Sequence, residues 1–173
     1  MNKIRIVEYE AKYQPYFEQL NRHWITKYFE IEPGDEYVLT MSGEAIIQPG
    51  GAILMALYDG HVAGTVGLKK ESETVFEFTK MAVDENFQRK GIAEMLGYAS
   101  FEKARELGAR QVILYTNSKL RPAISLYVKL GFSRTMFSGA GYVRSDVKMT
   151  IDIEDALKAA GKYFSGSMET LSR

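Results

Sequence analysis

Gln88-Arg89-Lys90-Gly91-Ile92-Ala93 is the stretch from which the fold is read. The run Val75 to Val83 before it is rich in β-branched and aromatic residues, and Glu94-Met95-Leu96 after it opens an amphipathic helix. A strand that ends in a short polar turn and enters a helix at a glycine leaves the first helical N–H groups without acceptors. Those amides lie at the positive end of the helix dipole, where an anion such as a pyrophosphate is stabilised. The stretch is neither the dinucleotide G-x-G-x-x-G nor the nucleotide P-loop, since Gly91 is its one glycine and no Lys-Ser/Thr pair follows. Alone it reads equally as a plain strand-to-helix turn. Arg89 and Lys90 add two cations that favour a polyanion, although charge runs are more often solvated faces.

Outward from this stretch the chain alternates strands and helices. Ile4 and Ile6 between Lys3, Arg5 and Glu8 suggest a first strand. Tyr16, Phe17, Leu20, Trp24, Ile25 and Tyr28 recur at three and four, predicting a helix over 13–29 with Pro15 in its first turn. Pro33-Gly34-Asp35 breaks that pattern, and a second short helix is expected over 37–47. Asp59-Gly60 is a two-residue hairpin turn joining strands over 52–58 and 61–68, with Gly64 and Gly67 marking a bulge or a close approach. After the charged loop 69–74, the strand 75–83 is expected to place Val75, Glu77, Thr79, Met81 and Val83 on one face and Phe76, Phe78, Lys80 and Ala82 on the other. A helix over 90–107 stops at Gly108, a buried strand covers 111–116, and a helix over 121–130 carries Pro122 early and Gly131 at its end. Final strands over 132–136 and 143–153 flank a Gly139-Ala140-Gly141 turn, followed by a helix over 155–164 and a polar, frayed end. This order predicts one α/β domain over 1–164 with a tail over 165–173, built on a mixed central sheet with an antiparallel N-terminal half.

Composition bounds the function. With 173 residues the chain is one domain able to bury a core, and lysine plus arginine balances aspartate plus glutamate at 22 each. That balance argues against a nucleic-acid or membrane-surface binder. The absence of cysteine removes disulfides, thiolate metal sites and a cysteine nucleophile. His23 and His61 alone offer little for a zinc site or a histidine triad, so no metal is expected. No apolar run approaches the roughly 20 residues that span a bilayer, and no secretory signal core opens the chain, so a cytoplasmic location is expected.

About thirty residues after Gly91 comes Ala123-x-x-Leu126-Tyr127-x-Lys129-Leu130-Gly131-Phe132. Together with Gln88, Gly91 and Ala93, which match Gln/Arg-x-x-Gly-x-Gly/Ala, this resembles the GNAT superfamily of N-acetyltransferases. The two motifs cover roughly residues 75–135, and the resemblance weakens before Ala52, where such proteins build their acceptor sites. It implies a GNAT-like sheet splayed between the fourth and fifth strands, with acetyl-CoA as co-substrate. The backbone of Met81, Ala82 and Val83 would pair with the pantetheine arm, and amides of Gln88, Arg89, Lys90, Gly91, Ile92 and Ala93 would hold the pyrophosphate. Many members carry asparagine at the position of Leu120; Asn117 is offered for a similar contact, although a helix cap or turn role is at least as good a reading.

The resemblance also implies the chemistry: acetyl transfer to a primary amine of a small molecule or peptide, by direct attack in a ternary complex. Tyr127 matches the tyrosine that faces the thioester sulfur, and a phenol near 10 can protonate a thiolate near 8.5 when both are held close and dry. By spacing alone Tyr127 is more simply a core aromatic. Glu77 aligns with a strand glutamate used as base, usually through water; a cross-strand ion pair competes closely. The oxyanion donor would be an N–H near Met81 or Ala82. Trp24, Tyr28 and Phe29 suit core packing better than an acceptor pocket, and Glu30, Glu32, Asp35 and Glu36 read as a solvated loop or a lure for cationic amines. A non-catalytic acyl-CoA-binding module is the alternative, and a homodimer is compatible with everything above.

Overall fold

The computed structural model describes residues 3–137, 139 and 144–171. Its strands are β1 (Ile4–Glu8), β2 (Ala52–Tyr58), β3 (His61–Lys70), β4 (Val75–Val83), β5 (Gln111–Thr116), β6 (Ser133–Thr135) and β7 (Val147–Asp152). Five helices, α1 (Gln14–Tyr28), α2 (Pro33–Thr40), α3 (Ile92–Glu106), α4 (Arg121–Leu130) and α5 (Ile153–Leu171), surround one sheet of order β1-β2-β3-β4-β5-β7-β6. The pairing β4–β5 is parallel and all others are antiparallel. The Asp59-Gly60 turn takes φ 48° and 82°, the left-handed pair that a two-residue hairpin needs.

Each sheet face has its own apolar cluster. Leu54, Phe76, Phe78, Leu114 and Met149 meet Ile92, Leu96 and Phe101 of α3, while Ile53, Met55 and Leu57 meet Phe17 and Ile25 of α1 and Leu39 of α2. Burying each such side chain contributes roughly 1.5–3 kcal/mol. Helix α3 is buried on more sides than its predicted stripe, because α5 and α4 pack on it as well as the sheet. Gly97 allows the α4 approach: a Cβ there would come within 2.5 Å of Leu130 Cδ1.

Three expectations are corrected. Pro33-Gly34-Asp35 starts a helix rather than ending one, with Pro33 at its first turn and Glu32 and Asp35 forming a reciprocal capping box. The segment Gly43–Ile47 is a separate π-helical turn. Helix α5 continues to Leu171, beyond the position 164 expected. Apart from Gly139, the Gly139-Ala140-Gly141 turn lies outside the described residues, as does Val143 at the start of the predicted last strand.

Strand β4 carries the largest departure from simple alternation. Thr65 pairs with Ala82 and Gly67 with Thr79, so Val66 alone stands opposite both Lys80 and Met81. This is a β-bulge, and Lys80 takes a left-handed φ of 54° to make it. The extra residue reverses the facing pattern beyond it. Phe76 and Phe78 face α3, yet Lys80 turns to the opposite side and reaches α2, while Met81 and Val83 swing to the α3 side. The predicted grouping of Glu77 with Met81 and Val83 is therefore overturned; Glu77 shares its face with Lys80.

Candidate functional site

The sheet opens where β4 and β5 separate. They pair only from Val75–Gln111 to Glu77–Ile113, whereas β5 continues along β7 as far as Thr116. Beyond Glu77 the backbone of β4 on that side has no β5 neighbour. The resulting cleft forms a cavity of about 410 Å³. Its walls are β4, the end of β5, the start of α4 and the C-terminal end of α1.

Most of the predicted site residues meet here. Glu77, Met81, Ala82, Val83, Gln88, Ala93, Asn117 and Tyr127 all line the cavity. The turn from β4 to α3 contributes Gln88 and Ala93 to the lining. Arg89 at φ 63° and Gly91 at φ 80° take left-handed backbone there, and the first N–H groups of α3 have no acceptor within their own helix. Three members of that stretch differ in their side chains. Ile92 is buried in the core, so only its backbone serves the turn. Lys90 places its Nζ 5.1 Å from the centre of the Tyr58 ring, and Arg89 is exposed; neither lines the cavity.

Tyr127 reaches the cavity from α4, which runs from Arg121 to Leu130 between Pro122 and a left-handed Gly131. Its ring packs edge-on against Phe78 and Phe132, with centroids at 5.8 and 6.2 Å. Burial pushes its phenol up to about 12, so it stays protonated across the neutral range. Glu77 is 8% exposed. Burial is the main cause that pushes its carboxyl up to about 7, with Glu71 adding to it and Lys69 and Lys80 opposing. A carboxyl near 7 is suited to accept a proton at neutral pH. Asn117 donates from Nδ2 to the Arg144 carbonyl at 2.6 Å and accepts from the Lys119 N–H at 2.9 Å, bracing the β5–α4 turn.

The aromatic residues at the end of α1 are part core and part cavity wall. Trp24 and Phe29 pack against the α1–α2 cluster, and they line the cavity together with Tyr28. Three of the four acidic residues there are in ion pairs: Glu36 pairs with Arg22, and Glu32 and Asp35 pair with Arg144.

Sequence reasoning missed the cluster at the far end of the cavity. Asp35, fully buried, accepts from Lys80 Nζ at 3.1 Å, from Arg144 Nη1 at 2.6 Å and Nη2 at 2.7 Å, and from the Glu32 N–H at 2.9 Å. Burial alone would raise the Asp35 carboxyl, but the hydrogen bonds from Arg144 and the charge of Lys80 hold it below the usual range. Desolvation depresses the Lys80 ammonium in spite of Asp35. One sequence signal existed, the Glu32-Pro33-x-Asp35 capping box, which marks a helix start and hence a fixed place for Asp35. Nothing local marks Arg144.

The sheet is split beyond Glu77, where β4 leaves β5, and Gln88 and Ala93 at the ends of the β4–α3 turn line the cleft. The chain belongs to the acetyltransferase (GNAT) family, whose model matches residues 9–132. The protein named uncharacterized N-acetyltransferase YjgM of Escherichia coli (strain K12) is 34% identical over 107 residues, covering 59% of this chain and 64% of that one. The N-acetylaspartate synthetase of Homo sapiens is 34% identical over 116 residues, 66% of this chain but 37% of its own length. The chain thus spans less than two thirds of either relative. Among solved structures, a GNAT acetyltransferase of Staphylococcus aureus Mu50 superposes with TM-score 0.78 at 19% identity over 87% of this chain and 99% of its own. A spermidine N-acetyltransferase of Vibrio cholerae, solved with CoA and spermine, gives 0.70 at 17% identity over 90% and 98%. These two share the fold. Among the described residues no helix is long and apolar enough to cross a membrane.

Proposed function

We propose that this chain transfers the acetyl group of acetyl-CoA to a primary amine of a small molecule or peptide, by direct attack with both substrates bound. The observation that carries this reading is the meeting of Glu77 and Tyr127 in one cavity that Gln88 and Ala93, at the two ends of the β4–α3 turn, also line. The residues suit acetyl-CoA: β4 beyond Glu77 lacks a β5 neighbour, so Met81, Ala82 and Val83 offer backbone groups to the pantetheine amides. The amides from Gln88 to Ala93 suit the pyrophosphate, and Asn117 stands beside the path between them.

Glu77 takes one proton from the ammonium, through water, and leaves a neutral nucleophile. The amine nitrogen attacks the thioester carbon, and an N–H near Met81 or Ala82 stabilises the oxyanion. As the C–S bond breaks, the Tyr127 hydroxyl gives its proton to the sulfur. The second amine proton restores the phenol, so one amide, one thiol and one proton leave.

Relatives bear names with quite different acceptors, aspartate in one and spermidine in another, and both are amines. The test is CoA thiol release from acetyl-CoA across a panel of primary amines, with Tyr127→Phe alongside. The expected result is turnover that Tyr127→Phe lowers about 10²-fold or more in kcat with little change in the KM for acetyl-CoA. Full turnover by Tyr127→Phe refutes its role. CoA binding by calorimetry without thiol release from any amine would instead assign a non-catalytic acyl-CoA module.

A further inference from the structure

Helix α1 carries an apolar ridge that leads into the β4–β5 cavity. Tyr16, Leu20, Trp24 and Tyr28 recur every four residues, so they stand one above another over about 18 Å of helix. Phe17 and Ile25 of the same helix are buried in the core, whereas Tyr16 and Tyr28 are 48% and 56% exposed. All four ridge residues line a second cavity of about 400 Å³, beside Val62 of β3 and the end of β4. Trp24, Tyr28, Val83 and Gln88 line both cavities, so the two meet along these residues. The charged groups on this path are matched among themselves: Glu85 pairs with His23 and Lys27, and Lys80 and Arg144 pair with Asp35 and Glu32. The Trp24 indole N–H is engaged as well, donating to Asn21 Oδ1 at 3.0 Å, which leaves the ring to offer apolar surface.

A charged or strongly polar tail laid on this ridge would exchange water for apolar side chains and ions that already have partners, at a cost in free energy. A methylene chain or an aryl group would instead bury apolar area on both sides. A peptide acceptor is less well served: the edge of β4 beyond Glu77 is taken by the pantetheine arm in the reading above, and α1 presents no strand edge for a peptide backbone. Building on that acetyltransferase reading, we propose that the acceptor is a primary amine with an elongated apolar body, such as a long-chain alkylamine or an arylalkylamine. Its ammonium faces Glu77, and its body passes Trp24 and Tyr28 and lies along α1 toward Leu20 and Tyr16. The ridge selects by length and apolarity and takes no part in proton transfer.

The test measures kcat/KM by thiol release for butylamine, hexylamine, octylamine and decylamine below their micelle concentrations, with spermidine and free amino acids alongside. Lengthening the chain is expected to raise kcat/KM by about tenfold or more across the series, since each buried methylene contributes severalfold. Trp24→Ala and Leu20→Gln should each flatten that rise while the KM for acetyl-CoA stays within about twofold. A merely structural role for these residues would lower turnover of all the alkylamines alike and leave the rise intact, and that outcome overturns the assignment to the ridge. A flat series in the wild type, or a preference for spermidine or an amino acid, overturns the proposal and leaves the acetyltransferase reading standing. No thiol release from any compound overturns both. If Trp24→Ala does not fold, Leu20→Gln, which lies outside the β4–β5 cavity, decides.

Discussion

Glu77→Gln isolates the most perturbed carboxyl in the cavity. In the folded protein this carboxyl lies at about 7 rather than 4.5, because burial disfavours its charged form. A raised acid pKa means that the native state holds a proton the unfolded chain has released, so stability falls as pH rises between the two values. The full displacement corresponds to about 3 kcal/mol, most of it accruing between pH 5 and pH 8. Glutamine keeps the shape and removes the titration. Urea unfolding of both proteins at several pH values should therefore show Glu77→Gln gaining on the wild type by about 2–3 kcal/mol across that span. The same variant should lose about 10²-fold or more in kcat/KM, together with the rising limb near pH 7 expected of the wild type. Parallel stability curves would refute the desolvated carboxyl. An intact limb near pH 7 in the variant would refute its role as the base.

Further outcomes follow from the turn and the ion cluster. Gly91→Ala puts a Cβ into open space but at φ 80°, so backbone strain is its sole direct cost: about 1–2 kcal/mol in thermal or urea unfolding, with a raised KM for acetyl-CoA and kcat largely kept. Asp35→Ala leaves Lys80 and Arg144 without their shared carboxylate and should cost about 3–5 kcal/mol at neutral pH. Because the Asp35 carboxyl is held below its usual range, its contribution is present above the unfolded carboxyl pKa and is lost as pH falls through the folded one. The gap between wild type and Asp35→Ala, measured by urea unfolding, should accordingly narrow in acid; a gap independent of pH would contradict the pairing.

The bulge at Lys80 ties the fold to the site. It faces Lys80 toward Asp35 and turns Met81 and Val83 to the α3 side, all within the stretch of β4 that has left β5. A bulge there bends β4 more strongly than a regular strand. One inserted residue thus sets the facing of both Lys80 and the Met81–Val83 segment.

Much of this protein is written in short-range pattern. The α4 boundaries follow from Pro122 and Gly131, the hairpin from Asp59-Gly60, and the anion-binding turn from Gly91 at the junction of a strand and a helix. Each depends on backbone preferences and periodicities that act within about four residues, so the sequence by itself determines them. The two motifs, 88–93 and 123–132, likewise identify the family before any packing is known. The facing of Lys80, the burial of Glu77 and the partners of Asp35 do not follow in that way. Strand alternation placed Lys80 on the wrong side because a register slip against β3 shows no composition signature at Lys80 itself. Asp35 looked like one of several loop acids, yet it bonds Lys80 45 residues away and Arg144 109 residues away. Desolvation and charge pairing depend on what the folded chain brings within a few ångströms, and only the tertiary structure decides that.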